Sequence, residues 1–501
     1  MLLKTRAAAL AGVCFLAFGA PAAAETLADA LAMAYQTNPQ LQAQRARLRA
    51  TDEQYVQARS QFRPSADLSS EISGLTVNYN DVTRDPRVGD PNLGVSAGVG
   101  QNLYTGGRAS NAVREVEGNI LAGREQLRSL ENDIMQAVVQ AYVDVRRDQE
   151  VLRVRQENVD VLRRQLEETQ ARFEVGEITR TDVAQSEARL AQARAFLSTA
   201  QATLATNRAN YATLVGQSPG TLEPEPVLPG LPASVEQAYD RAQVNNPDLL
   251  TAEFFEQASR ARVARERAET RPSVRASASA AYRQPLDHDL SDYSATLGTG
   301  ATLSLPLYRG GATTSRIRAA RETNTADRIA VETTRRNVVQ QVAQFWNSLQ
   351  AQRAAMISND EQVRAARVAF EGVQAEAQAG LRTTLDVLNA QTELRNAELS
   401  FLQSRRDAYV ASAALLNVMG MLEPRNLGLA VPAYDPAANF NRIRGSHALP
   451  WEGAIEGLDQ IGAPQPEARP VSPPAVISKA PAQGDRTASL DALVDASLAR
   501  R

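Results

Sequence analysis

Apolar residues after Gly106-Gly107 recur in alternating steps of three and four: Val113, Val116 and Ile120, then Leu127, Leu130 and Ile134, with Gly123 filling the gap between them. Further on, Leu152, Val159, Leu166 and Phe173 repeat every seven. A stripe of this period is a coiled-coil seam. The stretch as far as Phe173 contains no proline and only two glycines, Gly118 and Gly123. It predicts one helix of about 65 residues, close to 100 Å long at about 1.5 Å per residue. A helix so long must pack against other long helices over most of its length. A short turn around Gly176 leads to a return helix over 181–216.

The chain says this twice. Asn38-Pro39 returns as Asn246-Pro247 and Arg63-Pro64-Ser65 as Arg271-Pro272-Ser273, both shifted by about 208 positions. Leu103-Tyr104 with Gly106-Gly107 returns as Leu307-Tyr308 with Gly310-Gly311, shifted by about 204, as are Gly176 and Asp182-Val183 to Gly380 and Asp386-Val387. Each half opens with helical sequence broken at its Asn-Pro, where the residue before proline is driven out of the helical region. Each then turns to Ser, Gly, Val and Leu in partial alternation, over 66–77 and 93–104 and again over 274–283 and 293–307. Period-2 runs around a polar loop read as strand pairs. The second half repeats the long hairpin, with the helix 385–420 as its return arm. The organisation expected is a leader over 1–24, a first repeat over 25–222, a linker over 223–232, a second repeat over 233–423, and a Pro- and Ala-rich, disordered tail over 424–501.

Composition narrows the function. Lys4 and Arg6, an apolar run from Ala7 and the small residues Ala22-Ala23-Ala24 form a secretory signal. Cys14, the single cysteine, lies inside it, so no disulfide or thiol chemistry is expected in the mature chain. The remaining two histidines, His288 and His447, leave almost nothing from which to build a catalytic triad or a metal site. No enzyme activity and no cofactor are therefore expected. The glycine pairs lack the spacing and the Lys-Ser/Thr ending of phosphate loops and suit close-packed strand-to-helix junctions. Gly94, Gly98 and Gly100 inside a strand mark bends or close backbone approach. A net charge of -3 gives no basic field for nucleic acid. Tyr142 and its repeat counterpart Trp346 read as packing residues.

No later stretch approaches the roughly 18 apolar residues of a spanning helix, so a crossing of the membrane requires a closed β-barrel. Four strands per chain are too few to close one, since the smallest membrane barrels use about eight. If the strands enter a membrane, copies of the chain must share a barrel. The rival is a periplasmic coiled coil that tethers layers without conducting.

In Arg172-Phe173-Glu174-Val175-Gly176 leading to Thr181-Asp182-Val183, Ser304-Leu305-Pro306-Leu307-Tyr308 with Gly310-Gly311, and Gly380-Leu381-Arg382-Thr383 leading to Leu385-Asp386-Val387-Leu388, the chain resembles the TolC family of outer-membrane efflux proteins. The resemblance spans Leu27 to Glu423. It implies a mainly α fold with a β-barrel portion: a homotrimer whose twelve strands form one barrel in outer-membrane lipid and whose helices continue it as a periplasmic tunnel. It implies a passive exit duct for a tripartite efflux pump or type I secretion system, working with a periplasmic adaptor and an inner-membrane transporter, ABC or proton-driven. By the same resemblance Asp386 is the first carboxylate of the pore constriction, Arg382 the latch between hairpins, and Thr181 and Asp182 its partners. Two positions depart from the family pattern: Asn389 stands where a second aspartate ring occurs and Ala377 where a gating tyrosine occurs, which implies a less acidic, looser entrance. Read without the family, Asp182 and Asp386 are first-turn capping residues of helices that follow glycine turns.

Overall fold

In each half the Asn-Pro pair does more than interrupt a helix. Asn38 ends α1 (Leu27–Thr37) and caps α2 (Pro39–Arg59), its Oδ1 accepting from the backbone N–H of Gln40 at 2.9 Å. Its Nδ2 donates to the carbonyl of Leu214 at 3.2 Å, near the C-terminus of the return helix of the same half. Asn246 repeats this between α5 (Val235–Asn245) and α6 (Pro247–Ala268), accepting from Leu249 at 2.9 Å and donating to the Val418 carbonyl at 2.8 Å. Helix ends leave backbone groups unpaired. One buried amide thus serves the start of one helix and the end of another, which fixes where each repeat begins relative to where it finishes.

The computed structural model describes residues 25–74, 76–77, 87–88, 92–286 and 293–468. The leader, His288 and the tail beyond 468 lie outside the described residues. The remaining helices are α3 (Arg108–Glu174), α4 (Arg180–Val215), α7 (Ala312–Gln378), α8 (Thr384–Val418), α9 (Ala438–Ile443) and α10 (Glu452–Asp459). The long helices α3 and α7 have 67 residues each and pack antiparallel to α4 and α8. Gly118 lets α3 approach α6: a Cβ there would stand 2.9 Å from that of Ala258. The main core lies midway along the hairpins, where α1, α5 and the ends of α4 and α8 gather around Ile134 to Val145 of α3. Tyr142, fully buried, donates to the carbonyls of Glu25 at 2.9 Å and Glu223 at 2.8 Å, while Trp346 packs at the edge of that core. The linker is strapped across it by Glu225, paired with Arg146 and, at 2.8 Å, with Arg405.

The strands β1 (Ser65–Ser73), β4 (Asn92–Tyr104), β5 (Ser273–Pro285) and β6 (Ser294–Ser304) form one antiparallel sheet in the order β1-β4-β5-β6, with a short ribbon of β2 (Thr76–Val77) and β3 (Arg87–Val88) above the first pair. Successive side chains alternate between faces, so the register assigns each residue to one side. Leu68 is opposite Ala97, which is opposite Ala280, which is opposite Leu297. That face also carries Ala66, Ile72, Leu93, Val95, Val99, Tyr282 and Leu303, and Leu68, Ile72, Leu297 and Leu303 are each at least 69% exposed. The other face carries Asp67, Ser69, Glu71, Ser96, Arg275, Ser277, Arg283, Thr296 and Thr302. An apolar band facing out and a polar face turned in is the pattern of a membrane barrel wall. Gly100 is required on the polar face because Arg275 lies across it to reach Ser65 at 3.4 Å; a Cβ would stand 2.2 Å from Nη2.

The glycine pair of the first half is a close-packed junction, as its sequence suggests. Gly106 and Gly107 have φ of 69° and 89°, and Cβ atoms there would stand 2.6 Å from Arg271 Cβ and 2.4 Å from Ala463 Cβ. Gly310 and Gly311 share the positive φ, at 60° and 81°, but a Cβ on either would meet nothing within 4 Å.

The expectation of a disordered tail over 424–501 fails for its first part. Residues 424–464 run back along α2 and α3 and close over the junction of β4 with α3. Composition misleads here because the attachment is polar. Asp459, 1% exposed, accepts from the backbone N–H of Thr105 at 2.6 Å, Gly107 at 3.2 Å and Ser110 at 3.2 Å, and from the Thr105 and Ser110 hydroxyls. Glu452, 2% exposed, is bonded by Arg59 at 2.7 Å and Arg63 at 3.0 Å. The Phe440 ring meets Tyr55 edge-on at 4.9 Å.

Two outcomes test this attachment. Asp459→Ala strands buried donors at the start of α3 and should lower stability by about 2 kcal/mol or more, each such group costing about 1–3 kcal/mol; an unchanged denaturation midpoint contradicts it. For Glu452, burial opposes ionisation, but Arg63 and Arg59 outweigh it and hold the carboxyl below its usual value. Its contribution is therefore present above the unfolded-state value of about 4.3 and is lost as pH falls through the lower folded value. The stability difference between wild type and Glu452→Gln should be constant near neutrality and shrink on acidification below that value.

Candidate channel entrance

At the far end of the hairpins from the sheet, both turns are built alike. Gly176 and Gly380 adopt φ of 79° and 75°, and the N–H of each following residue reaches back to Arg172 O and Glu376 O, both at 2.9 Å. A left-handed glycine with such a return bond ends a helix sharply. Thr179 then caps α4, its hydroxyl bonded to Asp182 at 2.7 Å while the Asp182 carboxylate accepts from the Thr179 N–H at 3.0 Å. Thr383 and Asp386 repeat this capping box on α8 at 2.8 and 3.0 Å. The two aspartates therefore do serve as first-turn caps. The Thr383 hydroxyl and N–H hold the Asp386 carboxyl below the usual aspartate range, with a smaller contribution from Arg382, and Thr179 does the same for Asp182. The box engages Oδ2 of each carboxylate.

Arg382 is half exposed and pairs with Glu376 across its own turn at 2.8 Å; Arg172 and Glu177 make the corresponding pair in the first half at 3.1 Å. Such exposed pairs contribute little to stability. Thr181 is exposed on the first turn of α4. Arg382, Thr181 and Asp182 are thus not joined within one chain: the bonded partners of Arg382 and Asp182 both belong to their own hairpins.

The two hairpins meet one half-turn further along α8. Leu388, 2% exposed, inserts among Val159 and Leu162 of α3 and Leu190 and Ala193 of α4. Gln391 donates to Asn158 at 3.0 Å, and Arg189 reaches Asn389 at 3.5 Å. Asn389 thus sits against a cation of the neighbouring hairpin. Sequence reading missed Leu388, Gln391, Asn158 and Arg189 as the contact that positions the entrance. The signal available was the pair Val387-Leu388 immediately after the capping aspartate. The seam itself opens toward the tip, where Leu166 is half-buried and Phe173 is exposed.

Helical hairpins about 100 Å long, joined end-on to a sheet with one apolar face, define an outer-membrane channel-tunnel. No helix among the described residues is long and apolar enough to cross a membrane. The chain belongs to the outer membrane efflux protein family, whose pattern matches residues 30–217 and 238–421, one stretch in each repeat. It is 34% identical over 427 residues to the outer membrane efflux protein BepC of Brucella suis biovar 1, covering 85% of this chain and 92% of that one. It is 26% identical over 415 residues to the outer membrane protein TolC of Vibrio cholerae, covering 81% and 92%. Its fold matches the solved CmeC outer membrane channel of Campylobacter jejuni with a TM-score of 0.70 at 14% identity, over 83% of this chain and 89% of that chain. The chain is thus a non-enzymatic member of the TolC family, resident in the outer membrane and extending into the periplasm, and an exit duct for efflux or secretion. Family membership sets aside the non-conducting tether.

The hairpin contact generates a test. Leu388→Ala should lower stability by about 2–5 kcal/mol, the range for emptying a buried leucine site, and should speed proteolysis at the Gly176 turn. Leu385→Ala, at a residue 40% exposed, should change little by comparison. Equal effects of the two would remove Leu388 from its positioning role.

Proposed function

We propose that three copies of this chain close one twelve-stranded barrel and one helical tunnel, forming the passive exit of a tripartite efflux pump. The observation that carries this is the four-stranded sheet with an apolar outer face and two unpaired edges, β1 and β6, standing on twin hairpins. Edges left open in hydrocarbon cost several kcal/mol for each unsatisfied group, so only joining to further copies removes them. Energy comes from an inner-membrane transporter, ABC or proton-driven, coupled through a periplasmic adaptor that grips the hairpins near Gly176 and Gly380. Efflux is the favoured use, because the family description and BepC both carry that word; one-step protein secretion would use the same duct.

At the entrance, three-fold symmetry gathers Asp386 and Asn389 of each copy around the axis. Arg382 bridges to Thr181 and Asp182 of the adjoining hairpin, exchanging its bond to Glu376. The capping box lowers the Asp386 pKa, whereas crowding three carboxylates raises it. Cation preference should then fade on acidification, as the gathered carboxyls take up protons.

Single-channel recording in planar bilayers tests these assignments. Arg382→Ser should raise the open conductance. Asp386→Asn, which keeps an acceptor for the cap but loses the charge, should weaken cation selectivity and block by divalent ions. Unchanged conductance, reversal potential and block would place both residues away from the constriction, and silence from assembled oligomer would overturn the duct itself.

A further inference from the structure

The tail segment 438–463 lies beyond the family match, which ends at residue 421. Its last helix is turned the reverse way from a soluble one. Glu452, Glu456 and Asp459, spaced four and three apart, face the protein: Glu452 and Asp459 are buried, and Glu456 pairs with Arg59 at 3.1 Å. Ile455 packs inward beside them, against the cluster around Tyr55 and Phe62, but the other large apolar residues are left outside. Trp451 and Leu458, seven residues apart and so on one flank of the helix, are 49% and 45% exposed, and Ile461 beyond the helix end is 64% exposed. The inward acids are accounted for by Arg59, Arg63 and the donors at the start of α3, whereas a tryptophan displayed to water beside two further large apolar residues is not.

Position supplies the reason. Tyr104 is the last residue of β4, opposite Val274 in the register of the apolar face, and its hydroxyl donates to the carbonyl of Ile461 at 3.2 Å. The exposed stripe is therefore tied to the foot of the lipid-facing wall. Arg442 and Arg444, exposed upstream on the same segment, add positive charge. Tryptophan favours the level of lipid headgroups, where its ring is apolar and its N–H stays wet, and basic residues favour anionic headgroups.

We propose that α10 and its flanks rest in the periplasm-facing leaflet of the outer membrane, with Trp451, Leu458 and Ile461 in the interface and Arg442 and Arg444 toward anionic phospholipid. The segment is an interfacial anchor that grips the bilayer below the barrel while Asp459 and Glu452 bind it to the tunnel wall. This rests on the reading of the sheet as a membrane barrel.

The two tryptophans of the chain are Trp346 and Trp451, so Trp346→Phe leaves one reporter. The full-length assembled variant is reconstituted in phosphatidylethanolamine and phosphatidylglycerol vesicles, and co-flotation reports barrel insertion independently. Trp451 emission should be blue-shifted, lose intensity in lipid brominated near the headgroup end of the acyl chains, and resist acrylamide. In floating vesicles, emission quenched by acrylamide but not by bromolipid would leave the residue in water. Protection from both would put a neighbouring copy over it. Either result overturns the anchor while sparing the barrel, whereas failure to float overturns both. Should Trp346→Phe not assemble, the same signal is read as the difference between wild type and Trp451→Phe.

Discussion

A backbone N–H or C=O without a partner in hydrocarbon costs several kcal/mol, and the sheet of this protein has two such rows, along β1 and along β6. The rest of the architecture follows from closing them. Four strands curve too little to meet themselves, so in the proposed assembly further copies join the edges, each presenting the same arc of wall. The tandem repeat supplies that arc: each half gives the sheet two strands and the tunnel wall one long hairpin.

The two halves are alike in backbone and unlike in cover. In the first, the junction between strand and long helix lies under the tail, with Gly107 against Ala463 and Asp459 capping α3. In the second, Leu305, Leu307 and Tyr308 are exposed, and the glycines of the corresponding turn have open space around them. The proposed trimer accounts for the difference, since in it β6 and α7 would form the border that the next copy covers. Beside the apolar core, the helices are held together by close approach at small residues such as Gly118 and by shared polar groups such as Asn38 and Asn246, each of which satisfies backbone atoms from two helices.

Most of this skeleton could be read along the chain because its signals are local and repeated. The heptad from Leu152 to Phe173 specifies a helix without reference to anything distant, and the Asn-Pro and Gly-Gly pairs demand backbone shapes that few other residues adopt. Legibility failed where contacts are polar and remote. Asp459 and Glu452 stand in a stretch rich in Pro, Ala and Gly with no apolar period, and their partners Thr105, Arg59 and Arg63 are more than 300 residues away. At the entrance, sequence offered two alternatives for Asp386, a cap and a member of a pore ring. The chain by itself realises the capping role, and the proposed pore role would need an axis that no single chain contains.

The central claim is that β1 of one copy pairs with β6 of the next. The sequence has one cysteine, Cys14, which a Cys14→Ser background removes. Cysteine placed at Ser70 can therefore be combined with single cysteines scanned from Ser294 to Ser304, the disulfide requiring Cα atoms within about 7 Å. Oxidation in outer membranes should give, at one or two adjacent scan positions, a covalent ladder that ends at three chains. Cross-links confined to single chains would contradict the shared barrel, and a ladder continuing beyond three would contradict its closure by three copies.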